Sequence, residues 1–272
     1  MPRRPILTLL SDFGLSDPYV AEMKGVILSI QPLAATVDIT HQIPPGDVLA
    51  GAVALRQALP YFPEGTVHCA VVDPGVGTER RILAARYGGQ TIVAPDNGLI
   101  SFVDRDQPLS EIVVIRNDRY FLPGPTSATF HGRDIMAPVA AYIAGGLALA
   151  KLGPAPEKFK LLDLPEPRSE DGGVLVGQVI YVDRFGNLIS NIPAPLLEES
   201  LGDRVAAVVS CAGREVGAIQ ATYDFGEPGQ PLALINSMSL LEVAVNGGKA
   251  CDVLGAGVGA EVRVGPRAGQ DG

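Results

Sequence analysis

Hydrophobic positions along the chain fall into two regimes. In the first half, short apolar and β-branched runs at 6–10, 36–40, 67–72, 82–86, 91–94 and 112–116 alternate with stretches of helical spacing. That alternation is the pattern of a layered α/β domain with a mainly parallel sheet. The clearest helix spans 18–30, where Tyr19, Val20, Met23, Val26, Ile27 and Ile30 recur at helical spacing; Pro18 suits a first helical position and Asp17 the cap before it. The run Val48 to Leu59 is apolar nearly all round and stops at Pro60, which predicts a buried helix. Another helix-like run covers Val139 to Leu149.

Residues 153–172 break the alternation with Pro154, Pro156, Pro165 and Pro167 among scattered charges, and read as a linker. Beyond them, strand-like runs at 174–182, 205–210, 215–219, 232–235, 241–245 and 259–264 are separated by Gly, Asp and Asn turns. The expected organisation is an N-terminal α/β domain over 1–152, a linker over 153–172, and a smaller C-terminal all-β barrel domain over 173–272.

Composition narrows the class of protein. A length of 272 residues, 47% of them hydrophobic, is enough for one large or two modest cores. No uninterrupted apolar stretch approaches the roughly 18 residues of a membrane span. The basic start Met1-Pro2-Arg3-Arg4-Pro5 runs straight into a strand without a small-residue cleavage site, so a signal peptide is not expected and a cytoplasmic location is. A net charge of −9, with paired arginines only at 3–4 and 80–81, lacks the electrostatic footprint of a nucleic-acid binder. Cys69, Cys211 and Cys251 are odd in number and far apart, against both a disulfide framework and a zinc site.

The candidate chemistry gathers in loops. Asp73 lies just past the strand-like run 67–72, in Val71-Val72-Asp73-Pro74-Gly75-Val76-Gly77-Thr78-Glu79-Arg80-Arg81. Its glycines lack the third member of the dinucleotide fingerprint, and no P-loop Lys-Ser or Lys-Thr follows. Two readings remain: a tight turn using glycine at positive φ, or close backbone approach to a ligand. The run Ile6 to Leu10 empties likewise into Ser11-Asp12-Phe13-Gly14-Leu15-Ser16-Asp17. Two acid-bearing loops at one sheet edge predict a pocket. Thr129-Phe130-His131-Gly132-Arg133-Asp134 precedes a helix start, Asp183-Arg184-Phe185-Gly186-Asn187 opens a fourth segment, and Asn236-Ser237-Met238-Ser239-Leu240-Leu241-Glu242 forms a fifth.

Together, and in this order from Ile6 to about Val264, these segments resemble the S-adenosylmethionine hydrolases, also called SAM hydroxide adenosyltransferases. These are relatives of the fluorinase and chlorinase that form 5′-halo-5′-deoxyadenosine. The resemblance implies hydrolysis of S-adenosyl-L-methionine to adenosine and L-methionine by attack of water or hydroxide at C5′, with no cofactor and no metal. A sulfonium lets methionine leave as a neutral thioether, so no general acid is needed for it. The difficulty is the nucleophile, because free water has a pKa of roughly 15.7.

The family pattern places Asp73, the arginine seven residues on, Arg80 and not Arg81, and His131 around the attacking water. In that scheme His131 accepts the water proton or hydrogen-bonds the nucleophile, Arg80 holds hydroxide, and Asp73 orients them. Residue by residue, other readings stay open: Arg80 in a surface pair, Asp73 in an Asp-Pro turn, His131 bonding backbone ahead of a helix. The resemblance assigns Asp12 to the ribose hydroxyls, Asp17 and Asn187 to the methionine side, and Asp183 and Ser237 to the methionine amino and carboxylate ends. Tyr223 and Phe185 would offer an aromatic face to adenine, or else belong to the barrel core. Asn97 also belongs to the pattern, although Asn97-Gly98 reads first as a type I′ turn. Met238 stands where the halogenating relatives carry an arginine beside the serine.

The family forms homotrimers with sites at subunit interfaces, between the N-terminal domain of one subunit and the C-terminal domain of its neighbour. The residues at His131 and at Asp73-Pro74-Gly75 distinguish the chain from the halogenating relatives, leaving a 5′-halo-5′-deoxyadenosine-forming enzyme as the alternative within the fold. Outside it stand a non-catalytic sensor of S-adenosylmethionine or adenosine, and a metal-dependent hydrolase built on Asp12, Asp73, Asp96 and His131.

Overall fold

The apolar runs of the first half form β1 (Ile6–Ser11), β2 (Ala35–Thr40), β3 (Val67–Val71), β4 (Ile82–Tyr87), β5 (Gln90–Pro95) and β6 (Ile112–Val114). The computed structural model describes residues 4–201 and 207–266. Met1 to Arg3 of the basic N-terminus, and the start of the run expected at 205–210, therefore lie outside the described residues. The chain divides into two compact units, Met1–Asp163 and Leu164–Gly272. Residues 154–162 are tied into the first unit: Val114 N donates to the Pro154 carbonyl (2.8 Å), Lys160 N to Asp96 Oδ1 (2.7 Å) and Leu162 N to Ser101 Oγ (2.7 Å).

In the N-terminal unit the strands form one sheet in the order β2-β1-β3-β5-β4-β6. β2, β1, β3 and β5 run parallel, while β4 opposes its neighbours β5 and β6. The chain leaves β1 for β2 on one side and returns to β3 on the other, so the sheet reverses its winding between β1 and β3. The crevice outside the carboxyl ends at such a switch point is where open α/β sheets bind ligands. Register keeps those ends level, with Ser11 beside Val71 and Cys69 beside Val93. The loops that begin at Asp12, Asp73 and Asn97 therefore leave the same edge side by side.

Helices α1 (Tyr19–Ile30), α2 (Val48–Ala58), α3 (Ser101–Asp106) and α4 (Ala137–Ala144) cover this sheet. α1 and α4 pack together, and α4 lies on β1 and β3, with Met23, Ile27, Val139, Ala140 and Ile143 buried against Leu7, Leu9, Cys69 and Val71. α2 is buried as its composition predicts; its cap is Asp47, whose carboxylate accepts from Ala50 N (2.9 Å). Two expectations change. Asp17 does not cap α1: Pro18 holds the cap position at φ −75°, no side chain caps the helix, and Asp17 is exposed. The run expected as a helix over 139–149 starts earlier, at Ala137, and ends at Ala144, because Gly145 and Gly146 follow and Gly146 adopts φ +97°.

One buried polar network threads this sheet. Gln90 Nε2 donates to the carbonyls of Leu59 (3.2 Å) and Phe62 (2.6 Å), so its Oε1 is the acceptor facing His68 Nε2 at 3.1 Å. His68 Nδ1 then accepts from Thr8 Oγ1 at 2.7 Å. Burial pushes the His68 imidazole down to about 4, against the opposing hydrogen bond from Gln90. The folded protein thus binds fewer protons here than the unfolded chain. This stability is fully present above the ordinary histidine value of about 6.5 and is lost as pH falls toward about 4, a loss of up to about 3 kcal/mol. Urea midpoints measured from pH 7 to pH 4 should fall accordingly, and a His68→Gln variant should show a flatter decline; an equal decline in that variant would assign the effect to other groups.

The C-terminal unit is a barrel. β7 (Arg168–Glu170), β8 (Val174–Val182), β9 (Leu188–Pro193), β10 (Ala207–Cys211), β11 (Arg214–Gln220), β12 (Pro231–Ile235), β13 (Leu240–Val245) and β14 (Glu261–Pro266) follow in chain order. The order β14-β10-β11-β12-β13-β9-β8 closes through pairing of β14 with β8, and β7 adds to the free part of β8. Leu175, Val179, Leu188, Ile192, Val209, Leu241, Val243 and Val262 fill the interior. The short helices α5 (Ala194–Leu201) and α6 (Ala250–Leu254), like α3 and β7, carry too few periodic positions to stand out in the sequence.

Candidate active site

Asp73 opens a loop wound tightly enough to return Arg80 to it. Val76 N donates to the Asp73 carbonyl (3.2 Å), Thr78 N and Oγ1 to the Gly75 carbonyl (3.2 and 2.7 Å), and Arg80 N to Thr78 Oγ1 (3.3 Å). Gly77 sits at φ +78°, and a Cβ there would come within 2.3 Å of the Ala128 carbonyl. Glycine at this position both permits the turn and lets the segment before His131 close against the loop. The tight-turn reading of the glycine-rich loop holds, and the close backbone approach at Gly77 is to the chain's own Ala128 carbonyl.

The guanidinium of Arg80 grips Asp73. Its Nε donates to Oδ1 and Oδ2 at 2.8 Å each, and its Nη2 forms a further short bond to Oδ2. These side chains are 10% and 5% exposed, so the pair is not a surface ion pair. The Arg80 Nη2 also lies 2.8 Å from His131 Nδ1. Since a guanidinium can only donate, Nδ1 is the acceptor, and the neutral ring carries its proton on Nε2. Burial and the adjacent Arg80 charge hold His131 below the usual imidazole value, with Asp73 and Asp134 pulling the other way.

His131 reaches the cluster through its neighbours. It precedes a π-helical turn, Gly132–Met136, that runs into α4, and its ring caps no backbone group. Gly132 packs against the end of β3 and its surroundings, the position of a Cβ there lying 3.4 Å from Val71 Cγ1 and 3.5 Å from Met23 Sδ and Phe13 Cζ. Asp134, 2% exposed, accepts from Ser127 N (2.8 Å) and Arg133 Nε (2.7 Å) and thereby holds the preceding loop.

Arg81 turns elsewhere. Its Nε donates to Asp96 Oδ2 (2.7 Å) and its Nη2 to the Lys158 carbonyl (2.7 Å). Asp96 is therefore engaged with Arg81 and Lys160 and not with Asp12, Asp73 or His131. Among the described residues no group of three or more His, Cys, Asp or Glu side chains is placed to hold a metal ion, so the four-residue metal centre considered from the sequence is not assembled. Asp12 stands at the end of β1, half-buried, with Oδ2 accepting from Gly46 N (2.8 Å) and its remaining acceptor capacity uncommitted to any of the other candidates. Asn97 Nδ2 donates to the Val72 carbonyl (2.8 Å), fastening the end of β5 to the residue before Asp73. Of this dipeptide only Gly98 has positive φ, so Asn97-Gly98 is not a type I′ turn; it leads into α3. Asp17 joins none of these groups.

In the C-terminal unit a second set of expected residues comes together. Asp183 Oδ1 accepts from the backbone N–H groups of Phe185 and Asn187 (2.8 Å each), and Oδ2 from Asn187 Nδ2 (3.1 Å), shaping the β8–β9 turn. Tyr223 donates its hydroxyl to Glu242 Oε1 (2.8 Å), and Asn236 Nδ2 donates to Oε2 (3.1 Å). Glu242 is 3% exposed; burial raises its carboxyl above the usual range and the nearby Asp183 charge adds to the rise, against the Tyr223 and Asn236 hydrogen bonds. Burial, then Glu242, pushes the Tyr223 hydroxyl up to about 12. Phe185 is 73% exposed and Tyr223 45%, so neither is barrel core. Ser237 lies exposed in the β12–β13 turn, where Met238 N donates to Asn236 Oδ1 (2.9 Å). Asn236 and Glu242 bound the fifth segment of the sequence but carry no individual assignment there; the signal for Glu242 is a lone acid within the apolar run of β13.

Residues 7–153 match the profile described as the SAM hydroxide adenosyltransferase N-terminal domain, and residues 177–263 that of the C-terminal domain. A Salinispora tropica protein named (R)-S-adenosyl-L-methionine hydrolase is 42% identical over 97% of this chain and 99% of its own. An Actinoplanes protein named fluorinase is 30% identical over 89% of this chain and 91% of its own. A solved structure, of an uncharacterized conserved protein from Thermotoga maritima, superposes with a TM-score of 0.89 at 36% identity, covering 95% of this chain and 99% of that one.

Proposed function

The chain belongs to the SAM hydroxide adenosyltransferase family, and on that premise we propose that it is a hydrolase that converts S-adenosyl-L-methionine to adenosine and L-methionine by attack of water or hydroxide at C5′. The observation that carries the reading is the contact of Arg80 with both Asp73 and His131 at the switch point of the sheet. Arg80 and the His131 Nε2–H are both donors, so together they suit an oxygen nucleophile with anionic character. With Nδ1 occupied by Arg80, His131 acts in its neutral form as a donor to that oxygen and not as the acceptor of the water proton. Asp73 orients the guanidinium. As the C5′–O bond forms, the C5′–S electron pair returns to sulfur, the sulfonium becomes a neutral thioether, and one proton is released to solvent for each turnover. Asp12 accepts from the ribose hydroxyls.

The same reading takes Asp17 and Asn187 as partners on the methionine side, Asp183 and Ser237 as partners of the methionine amino and carboxylate ends, Tyr223 and Phe185 as an aromatic face for adenine, and Asn97 as a further member of the site. It takes the reaction to need no cofactor, the assembly to be a homotrimer, and the location to be cytoplasmic. Incubation with S-adenosyl-L-methionine in ¹⁸O-water, with a chelator and chloride present, tests the proposal. Adenosine should carry the label at its 5′ oxygen. Label in methionine or in neither product would rule out attack at C5′, and a chlorinated nucleoside as main product would move the protein to the halogenating branch. Light scattering at three times the 28.4 kDa chain mass is the expected assembly.

A further inference from the structure

Beside the Asp73 cluster lies a polar chain that the proposed reaction does not use. Lys24 Nζ on α1 donates to Asp38 Oδ2 on β2 (2.6 Å), and Asp38 Oδ1 lies 3.2 Å from His41 Nε2. That contact is an ion-pair distance only, since Nε2 makes no hydrogen bond. His41 Nδ1 lies 2.7 Å from Ser11 Oγ, which in turn receives Phe13 N at 3.4 Å. An acid facing Nε2 places the ring proton there, which leaves Nδ1 to accept and the Ser11 hydroxyl to donate.

Ser11, His41 and Asp38 are the residue types of a nucleophilic triad. Here, however, Ser11 is 1% exposed and His41 4%, and the hydroxyl is occupied on both sides. What the set controls is Asp12. The His41 carbonyl accepts from Gly14 N (2.8 Å), its ring holds Ser11, and Gly46, five residues on, donates to Asp12 itself (2.8 Å). The residues on both sides of Asp12 are thus fastened to the segment that begins at His41.

We propose that His41 is a positioning residue that, through Ser11, presents Asp12 to the ribose of the substrate. This rests on the reading of Asp12 as the ribose acceptor. A carboxylate that must accept two hydroxyls loses affinity when its backbone drifts, because each bond depends steeply on distance and angle. Ser11→Ala and His41→Phe remove the link, while His41→Asn keeps an amide oxygen near the Nδ1 position and should restore it.

The test compares these variants with Asp12→Ala by calorimetry with adenosine and by steady-state kinetics, each corrected for folded fraction by thermal unfolding. Ser11→Ala and His41→Phe should weaken adenosine binding and raise KM about five- to tenfold, roughly the worth of one hydrogen bond, with kcat within about twofold. His41→Asn should recover most of the loss, and Ser11→Ala should add nothing in an Asp12→Ala background. A purely structural role would lower the melting temperature and leave KM and adenosine affinity unchanged. Full adenosine affinity in Ser11→Ala and His41→Phe beside a weakened Asp12→Ala overturns the positioning role alone, as would additive losses in the double variant. Full affinity in Asp12→Ala removes Asp12 from the site, and the positioning role with it.

Discussion

Replacing Arg80 with alanine is expected to lower turnover by at least about tenfold, and by up to about a thousandfold if it supplies a full donor to the developing oxygen nucleophile. Arg81→Ala is the informative control. Each arginine pairs with a carboxylate whose side chain is nearly buried, Asp73 at 5% and Asp96 at 4% exposure. Each alanine variant therefore strands an acid and loses folding stability, up to about 3 kcal/mol. Only Arg80 contacts His131. The two variants should therefore melt earlier alike, while kcat per folded molecule falls in Arg80→Ala alone and KM changes little, since the lost interaction belongs to the transition state. Arg80→Lys keeps a charge but not the fork that reaches Asp73 and His131 together, and should stay impaired. His131→Ala should match Arg80→Ala. Full turnover in Arg80→Ala and His131→Ala would end the water-holding role of the cluster.

Replacing Asp12 with alanine should weaken adenosine and S-adenosyl-L-methionine together. Two ribose hydroxyls would lose a charged acceptor, at roughly 1.5–3 kcal/mol per charge-assisted bond, or about ten- to a hundredfold in affinity for each. Asp12→Asn separates the charge from the fold, because its amide oxygen can still accept from Gly46 N while its other atom becomes a donor. That variant should keep the melting temperature of the parent and still bind adenosine weakly. Isothermal titration with adenosine reads both. Adenosine affinity unchanged in Asp12→Ala would exclude the ribose contact, and affinity lost in step with unfolding would make Asp12 a structural group.

Much of this molecule was legible along the chain. β1, β3 and β5 are apolar runs ended by polar residues, and the acid-bearing loops after β1 and β3 follow directly from where those runs stop. Periodicity is a local property, so it survives in a single sequence. The resemblance, not periodicity, pointed to Arg80 over Arg81; the loop's own hydrogen bonds return Arg80 to Asp73, while Arg81 turns to Asp96. The family, too, is carried by short segments whose order along the chain can be read directly.

Tertiary structure decided what depends on segments far apart. His131 meets Arg80, 51 residues away, because α4 lies across β1 and β3 and brings the turn before it to the end of β3. The proton position on the neutral His131 ring follows from that contact, and of the two roles open to His131 it is the hydrogen bond to the nucleophile that the proposed reaction takes up. Asp17 fits a cap by residue type, yet Pro18 takes the position, since backbone φ and the path of the preceding loop decide which residue stands there. Phe185 and Tyr223 share a composition suited to a core, but the β8–β9 turn and the Glu242 carboxylate hold them at the surface. Ser11 and His41 are 30 residues apart and gain meaning only through the parallel pairing of β1 with β2. Residue types and periodicity are local and determine strands, loops and candidate groups; which groups touch, and so which way each proton points, is fixed by packing between elements that the chain order does not encode.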